Sequence, residues 1–162
     1  CGATETIIFH EKIIKKIGIK ILKDLEDNGC KIIGDNKIKK FYNKKIRKAS
    51  IKDWSKEYLA PIVSVKSVRN IDEAIHHINK YGTMHTDCII TQNNKSAKKF
   101  LDQVKSSIAM HNTSTQFADG EEFGFGGEVG ISTNTLPPRG PVGLNQLVSY
   151  KYQIKSKGAV RK

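Results

Sequence analysis

Cysteine is scarce in this chain of 162 residues: there are three, Cys1, Cys30 and Cys88. So small and odd a number excludes a disulfide framework and is what a reducing, cytoplasmic setting would favour. Cys30 and Cys88, each beside isoleucines in predicted strands, are expected to be core thiols. No apolar run approaches membrane-spanning length, and the opening C-G-A-T-E-T-I-I-F has neither a basic leader nor a long apolar segment, so no secretory signal is expected. The first residue is Cys1 and not Met, which is expected of a piece of a longer reading frame. Metal patterns are missing too: the five histidines form no His-x-x-x-His pair, there is no Cys-x-x-Cys, and the adjacent His76 and His77 of one predicted helix cannot point into one site. Neither a Walker sequence nor G-x-G-x-x-G occurs, so any nucleotide-binding half that the activity needs lies outside this chain.

Acid is also in deficit, with 16 acidic against 28 basic residues and a net charge of +12. Seven of the basic side chains fall between Lys37 and Lys48, with Phe41 and Tyr42 interleaved. Such a run has the chemistry of a phosphate-tracking, nucleic-acid-binding patch, but the whole chain is rich in Lys, Ile and Asn, and a solvated surface is the expected role. With 38% hydrophobic and 27% charged residues, the composition is that of a soluble globular domain, with room for at most a small appendage.

Hydrophobic periodicity then sets the fold class. The run Ile7, Ile8, Phe9 predicts a strand within 4–10, and Ile13, Ile14, Ile17, Ile21, Leu22 and Leu25 predict one face of a helix that stops at Gly29. A short strand follows over 30–33. The basic segment 35–50 shows no clear period, and its end is expected to be a loop leading to Asp53 and Trp54. Residues 62–68 predict a strand; Asn70 with Glu73 predicts a capped helix ending at Gly82; then come a strand over 86–91, a helix over about 95–104 and a strand over 107–111. Strands alternating with amphipathic helices predict an α/β fold with a mostly parallel sheet. A helical turn is expected at 145–147, and the alternation of Tyr150, Tyr152 and Ile154 over 149–155 predicts a terminal strand that pairs with another subunit.

The segment from Asn112 to Gly130, N-T-S-T-Q-F-A-D-G-E-E-F-G-F-G-G-E-V-G, has neither period and contains five glycines. Ordering it is costly, because glycine loses the most backbone freedom on folding. It directly follows a predicted strand. In parallel α/β sheets ligands sit beyond the carboxyl ends of strands, so this loop is expected to form one wall of a small-molecule site. Its acids, Asp119, Glu121, Glu122 and Glu128, alternate with glycines and are expected to serve turns and caps and not a cation.

In order along nearly the whole chain, C-G-A-T-E-T, S-K-E-Y-L-A-P-I, I-N-K-Y-G with H-T, the loop N-T-S-T-Q-F-A-D-G-E-E-F-G-F-G-G-E-V-G-I-S-T, and R-G-P-V-G-L ahead of Y-K-Y resemble the carboxyl-terminal part of the gamma-glutamyl phosphate reductase family of the aldehyde dehydrogenase superfamily. The resemblance is weakest from Asp35 to Lys52. It implies an aldehyde-dehydrogenase-like catalytic domain over 1–148 and an oligomerisation strand and tail over 149–162, the cofactor-binding domain being absent. It also implies NADPH-dependent reduction of L-glutamate 5-phosphate to the semialdehyde in proline biosynthesis, carried out by a homo-oligomer or with a separate cofactor-domain chain. On that resemblance Cys1 is the nucleophile, Glu57 contacts the nicotinamide ribose, and Asn112, Ser114, Thr115, Phe123 and Gly124 line the substrate tunnel. Alone the chain is expected to be inactive, the alternative being a non-catalytic oligomerising remnant. Three positions depart from the family pattern: Gly2 stands for Asn, Gln116 for Arg, and Glu121 for Gly.

Overall fold

The computed structural model describes residues 2–161. Strand β1 (Thr6–His10) leads through a short α1 (Glu11–Ile13) and a π-helical turn (Ile14–Gly18) into α2 (Ile19–Asp27). The predicted face is wider than the buried one: of two adjacent rows, Ile14, Gly18 and Leu22 point inward, with Ile14 and Leu22 fully buried, whereas Ile13, Ile17 and Ile21, one residue over, are exposed although their spacing predicts the core face.

Next come β2 (Lys31–Gly34), α3 (Asn36–Phe41), β3 (Arg47–Lys48), a 3₁₀ turn (Ile51–Ser55) and β4 (Ile62–Val68). The segment 35–50 therefore contains a helix and a short strand, for which the sequence shows no clear period. Its helix starts because the Asp35 carboxylate accepts from the N–H groups of Lys37 and Ile38, both at 2.9 Å, and it holds because Ile38 is fully buried. Several residues of the basic run are committed inside the chain: Lys37 pairs with Glu11, Lys39 donates to the Ile46 carbonyl, and Arg47 pairs with Asp53.

The remaining elements are α4 (Ile71–Tyr81), β5 (Thr86–Ile89), α5 (Asn94–Gln103), β6 (Ile108–His111), a 3₁₀ turn (Thr115–Phe117), β7 (Gly130–Ser132), β8 (Gly140–Val142) and a last 3₁₀ turn (Leu144–Gln146). Asn70 caps α4 as its position predicts, accepting from Glu73 N–H at 2.9 Å, while the Glu73 carboxylate turns back to the Arg69 backbone and guanidinium.

The fold class is α/β with parallel pairing, but the strands divide. Sheet A is parallel, in the order β1-β4-β2-β3; sheet B is the parallel pair β5-β6; β7 and β8 form a short antiparallel hairpin. The main core lies under sheet A, from Phe9, Ile14, Leu22, Ile32, Ile38, Ile46, Val63 and Val65. A second cluster, Ile75, Phe100 and Val104, joins α4 to α5. Cys30 and Cys88 are half-buried and not deep in either core. Residues 149–155 form no ladder, and Tyr150, Tyr152 and Ile154 are almost fully exposed. Among the described residues no helix is long and apolar enough to cross a membrane.

Candidate active site

Parallel register fixes where the two ends of the site meet. Thr6 lies opposite Ser64, and Ser64 N–H donates to the Glu5 carbonyl at 3.0 Å, so the C-G-A-T-E-T segment and the S-K-E-Y-L-A-P segment both arrive at the amino ends of their strands in sheet A. The loop from Asn112 leaves the carboxyl end of β6 in sheet B. Thr115 Oγ1 then donates to the Gly2 carbonyl at 2.7 Å. The candidate site thus lies where the carboxyl end of one small sheet meets the amino end of the other. Asn112 follows the carboxyl end of β6, whereas the segments carrying Gly2 and Glu57 precede β1 and β4.

Cys1, the expected nucleophile, lies outside the described residues. Its neighbour Gly2 is buried, and the absence of a side chain there matters: a Cβ on Gly2 would stand 3.0 Å from Cδ and Nε2 of Gln116 and 3.0 Å from the Thr115 carbonyl. Gly2 and Gln116, two positions that depart from the family pattern, are therefore one contact. The Gln116 carboxamide lies against the space that a side chain at position 2 would need.

Asn112 takes a left-handed backbone, φ 56°, and spends both ends of its carboxamide on Thr91: Oδ1 accepts from Thr91 N–H at 2.8 Å and Nδ2 donates to Thr91 O at 2.9 Å. It clamps the ends of β5 and β6 and launches the loop. His111 Nε2 is 2.9 Å from the same Thr91 carbonyl. Ser114 caps the next turn by accepting from Gln116 N–H at 3.2 Å, leaving its own hydroxyl exposed. Phe123 and Gly124 lie further along the same loop. Phe123 is 42% exposed and meets Phe125 edge-on at 6.1 Å, and Gly124 has φ 77°, which favours glycine. Two of the loop's four acids serve turns: Asp119 Oδ1 accepts from Glu121 N–H at 2.8 Å and Glu128 Oε2 from Gly120 N–H at 3.0 Å. Among the described residues no group of His, Cys, Asp or Glu could hold a metal.

Glu57 is exposed, with its backbone beside the site: Tyr58 N–H, the next amide, donates to Glu5 Oε2 at 3.2 Å. Behind it stands the most heavily bonded carboxylate in the region. Asp53, 5% exposed, accepts from Arg47 through both oxygens, from Ser50 N–H at 2.7 Å and Ser50 Oγ at 2.6 Å, and from the Tyr58 hydroxyl at 3.0 Å. The Arg47 guanidinium, helped by Ser50 and Tyr58, holds Asp53 well below the usual carboxylate range against the opposing effect of burial. Burial raises the Tyr58 hydroxyl. Neither residue figures in the expected site. The spacing of Ser50 and Asp53, three apart ahead of a short turn, is the capping-box signal for the acid.

Two further buried groups border sheet B. Asp87 is pushed up to about 6 by burial, with Ser106 Oγ as its hydrogen-bond donor. His85 is lowered by burial, and its Nε2 has no partner among the described residues.

The aldehyde dehydrogenase family model matches residues 47–151. The chain belongs to the aldehyde dehydrogenase family. Within it, the chain is 50% identical over 160 residues to a gamma-glutamyl phosphate reductase of Prochlorococcus marinus (strain MIT 9215), covering 99% of this chain and 36% of that protein. It is 46% identical over 161 residues to the enzyme of that name from Clostridium beijerinckii, covering 99% and 39%. The crystal structure of gamma-glutamyl phosphate reductase from Thermotoga maritima superposes with a TM-score of 0.93 at 41% identity, covering 100% of this chain and 39% of that one. The chain spans 36–39% of the length of these relatives. Within the aldehyde dehydrogenase match lie both Glu57 and the whole Asn112–Gly130 loop.

Proposed function

We propose that this chain supplies the nucleophile-bearing catalytic part of an NADPH-dependent reductase that converts L-glutamate 5-phosphate to L-glutamate 5-semialdehyde. The observation that carries the reading is the hydrogen bond from Thr115 to Gly2, which seats the glycine loop one residue from Cys1. In-order identity to reductases over 99% of the chain supports the same choice of reaction.

In this mechanism the Cys1 thiolate attacks the acyl carbon and phosphate leaves, giving a thioester. NADPH, when bound, supplies a hydride. The resulting thiohemiacetal expels the thiolate and releases the aldehyde. Glu57 fits the nicotinamide ribose chemically: it is an exposed carboxylate with no hydrogen-bond partner among the described residues, ready to accept from hydroxyls. Ser114 and Gln116 offer neutral donors near the acyl phosphate. Phe123 narrows the mouth and limits water, which would otherwise hydrolyse the thioester.

Most of a cofactor site lies outside these residues, so the chain acts with a further cofactor-binding part, and the exposed 149–155 segment adds a strand to another subunit. Complementation of a proline auxotroph tests the reading. Growth is expected when the chain is supplied with a cofactor-binding part from a reductase relative, and none with the chain alone. Growth on the chain alone would refute its insufficiency, and no growth with the added part would refute the catalytic assignment.

A further inference from the structure

Tyr58 is fixed at both ends. Its backbone N–H donates to Glu5 Oε2 at 3.2 Å, and its hydroxyl donates to Asp53 Oδ1 at 3.0 Å and lies 2.8 Å from Ser64 Oγ. Ser64 N–H in turn donates to the Glu5 carbonyl at 3.0 Å. Glu5, Tyr58 and Ser64 thus close a ring of contacts that joins the segment after Cys1, the segment carrying Glu57 and the start of β4. Asp53, the acceptor at the phenol end, is itself immobilised by Arg47 and Ser50.

The residues on either side of Tyr58 show what the ring restrains. Tyr58 is half-buried, while Lys56, Glu57 and Leu59 on either side of it are exposed, so the anchored ring is the point at which this exposed stretch is held to the fold. Leu59, just beyond, has φ 50° while its side chain is 87% exposed. A left-handed non-glycine residue whose side chain packs on nothing gains no burial in return for the strain, so its neighbours hold it there.

We propose that Tyr58 is a positioning residue: anchored by Asp53, Ser64 and Glu5, it fixes Glu57 relative to the segment that follows Cys1. The inference rests on the proposed function for what Glu57 does once it is placed. Tyr58 contacts neither substrate nor cofactor in this account and acts only through Glu57.

Hydrogen exchange of the 162-residue chain tests the pin without activity. In Tyr58→Phe, which removes one oxygen, amides 56–60 are expected to exchange about tenfold faster, as for loss of one hydrogen bond, while β1 and β4 keep their protection. Glu5→Gln, which weakens the other anchor, is expected to loosen the same stretch. Unchanged exchange at 56–60, or a loss spread through β1 and β4, overturns the proposal. A second measurement uses the chain assembled with a relative's cofactor-binding part. Tyr58→Phe is expected to raise KM for NADPH about tenfold with KM for the acyl phosphate unchanged, and to add nothing in a Glu57→Gln background. Losses that add in the double variant overturn the positioning role. If Glu57→Gln leaves NADPH binding intact, the role of Glu57 falls, and the exchange result alone decides the pin.

Discussion

The two sides of the candidate site are built in opposite ways. On the sheet A side a single carboxylate, Asp53, gathers Arg47, Ser50 and Tyr58, and the residues around it are tied to β1 and β4. On the other side the Asn112–Gly130 loop bonds mainly to itself: Phe123 N–H donates to Asp119 O, Gly124 N–H to Glu121 O and Phe125 N–H to Gly120 O, and much of the segment is exposed. Side-chain networks fix geometry at the cost of conformational entropy, whereas a glycine-rich loop anchored at its ends keeps freedom to close on a ligand. The difference teaches a division of labour. The Glu57 wall is preorganised, and the loop wall is tied down at Asn112, at Thr115, at the buried Ala118 and at Val129, whose N–H donates to Val142 O, with the largely exposed stretch 121–127 left freer between them.

Breaking the rigid side should therefore cost the most. Asp53→Ala strands the Ser50 amide and the Tyr58 hydroxyl and releases Arg47, for an expected loss of about 3 kcal/mol in urea unfolding. Arg47 is half-exposed and is solvated when freed, so the loss comes mostly from the buried partners.

A partly buried acid in β5 of sheet B supplies the converse test. The folded state raises Asp87 to about 6 from 3.8, so it binds the proton more tightly than the unfolded chain does. Its stabilising contribution is full below about pH 3.8 and is lost as the pH rises through about 6. Asp87→Asn should accordingly raise stability by about 2 kcal/mol at pH 8 and change it little at pH 4, measured by denaturation at both values. A gain that is equal at both pH values would contradict the burial of that carboxyl.

Smaller effects belong to the loop. Gly124→Ala puts a side chain where φ is 77° with no atom within 4 Å to clash, so the expected cost is conformational, about 1 kcal/mol, and confined to loop exchange rates. Gly2→Ala meets both the movable Gln116 amide and the fixed Thr115 carbonyl at 3.0 Å. It should loosen the contact between the loop and the Cys1 segment. Pairing it with Gln116→Ala should restore part of the loss and no more, because the carbonyl remains.

Much of the scaffold was legible in the sequence. Strong apolar periods at Ile7–Phe9, Ile62–Val68 and Ile71–Ile78 gave β1, β4 and α4 near their observed bounds, and Asn70 marked its cap correctly. What escaped has physical causes. In 35–50 lysines outnumber the apolar residues, so the period of α3 is carried by little more than Ile38 and Phe41, and the usable signal was Asp35 as a cap. Two apolar rows lie side by side on the first helix, and hydropathy does not say which faces the core, so the Ile13, Ile17, Ile21 stripe read as core together with the buried one. Division of the strands between two parallel sheets depends on tertiary packing, and with it went the position of the site. Motif resemblance picked out Glu57 and the loop residues one by one. Only the register of Thr6 with Ser64 and the bond from Thr115 to Gly2 bring their segments together.

The most direct test of the account asks whether Cys1 takes the acyl group. The assembled protein is given L-glutamate 5-phosphate generated in situ, with NADPH withheld. The account predicts a burst of about one phosphate per chain and a glutamyl thioester on Cys1 by peptide mass, both lost in Cys1→Ser. Acylation at Cys30 or Cys88, or a burst that survives Cys1→Ser, would contradict it.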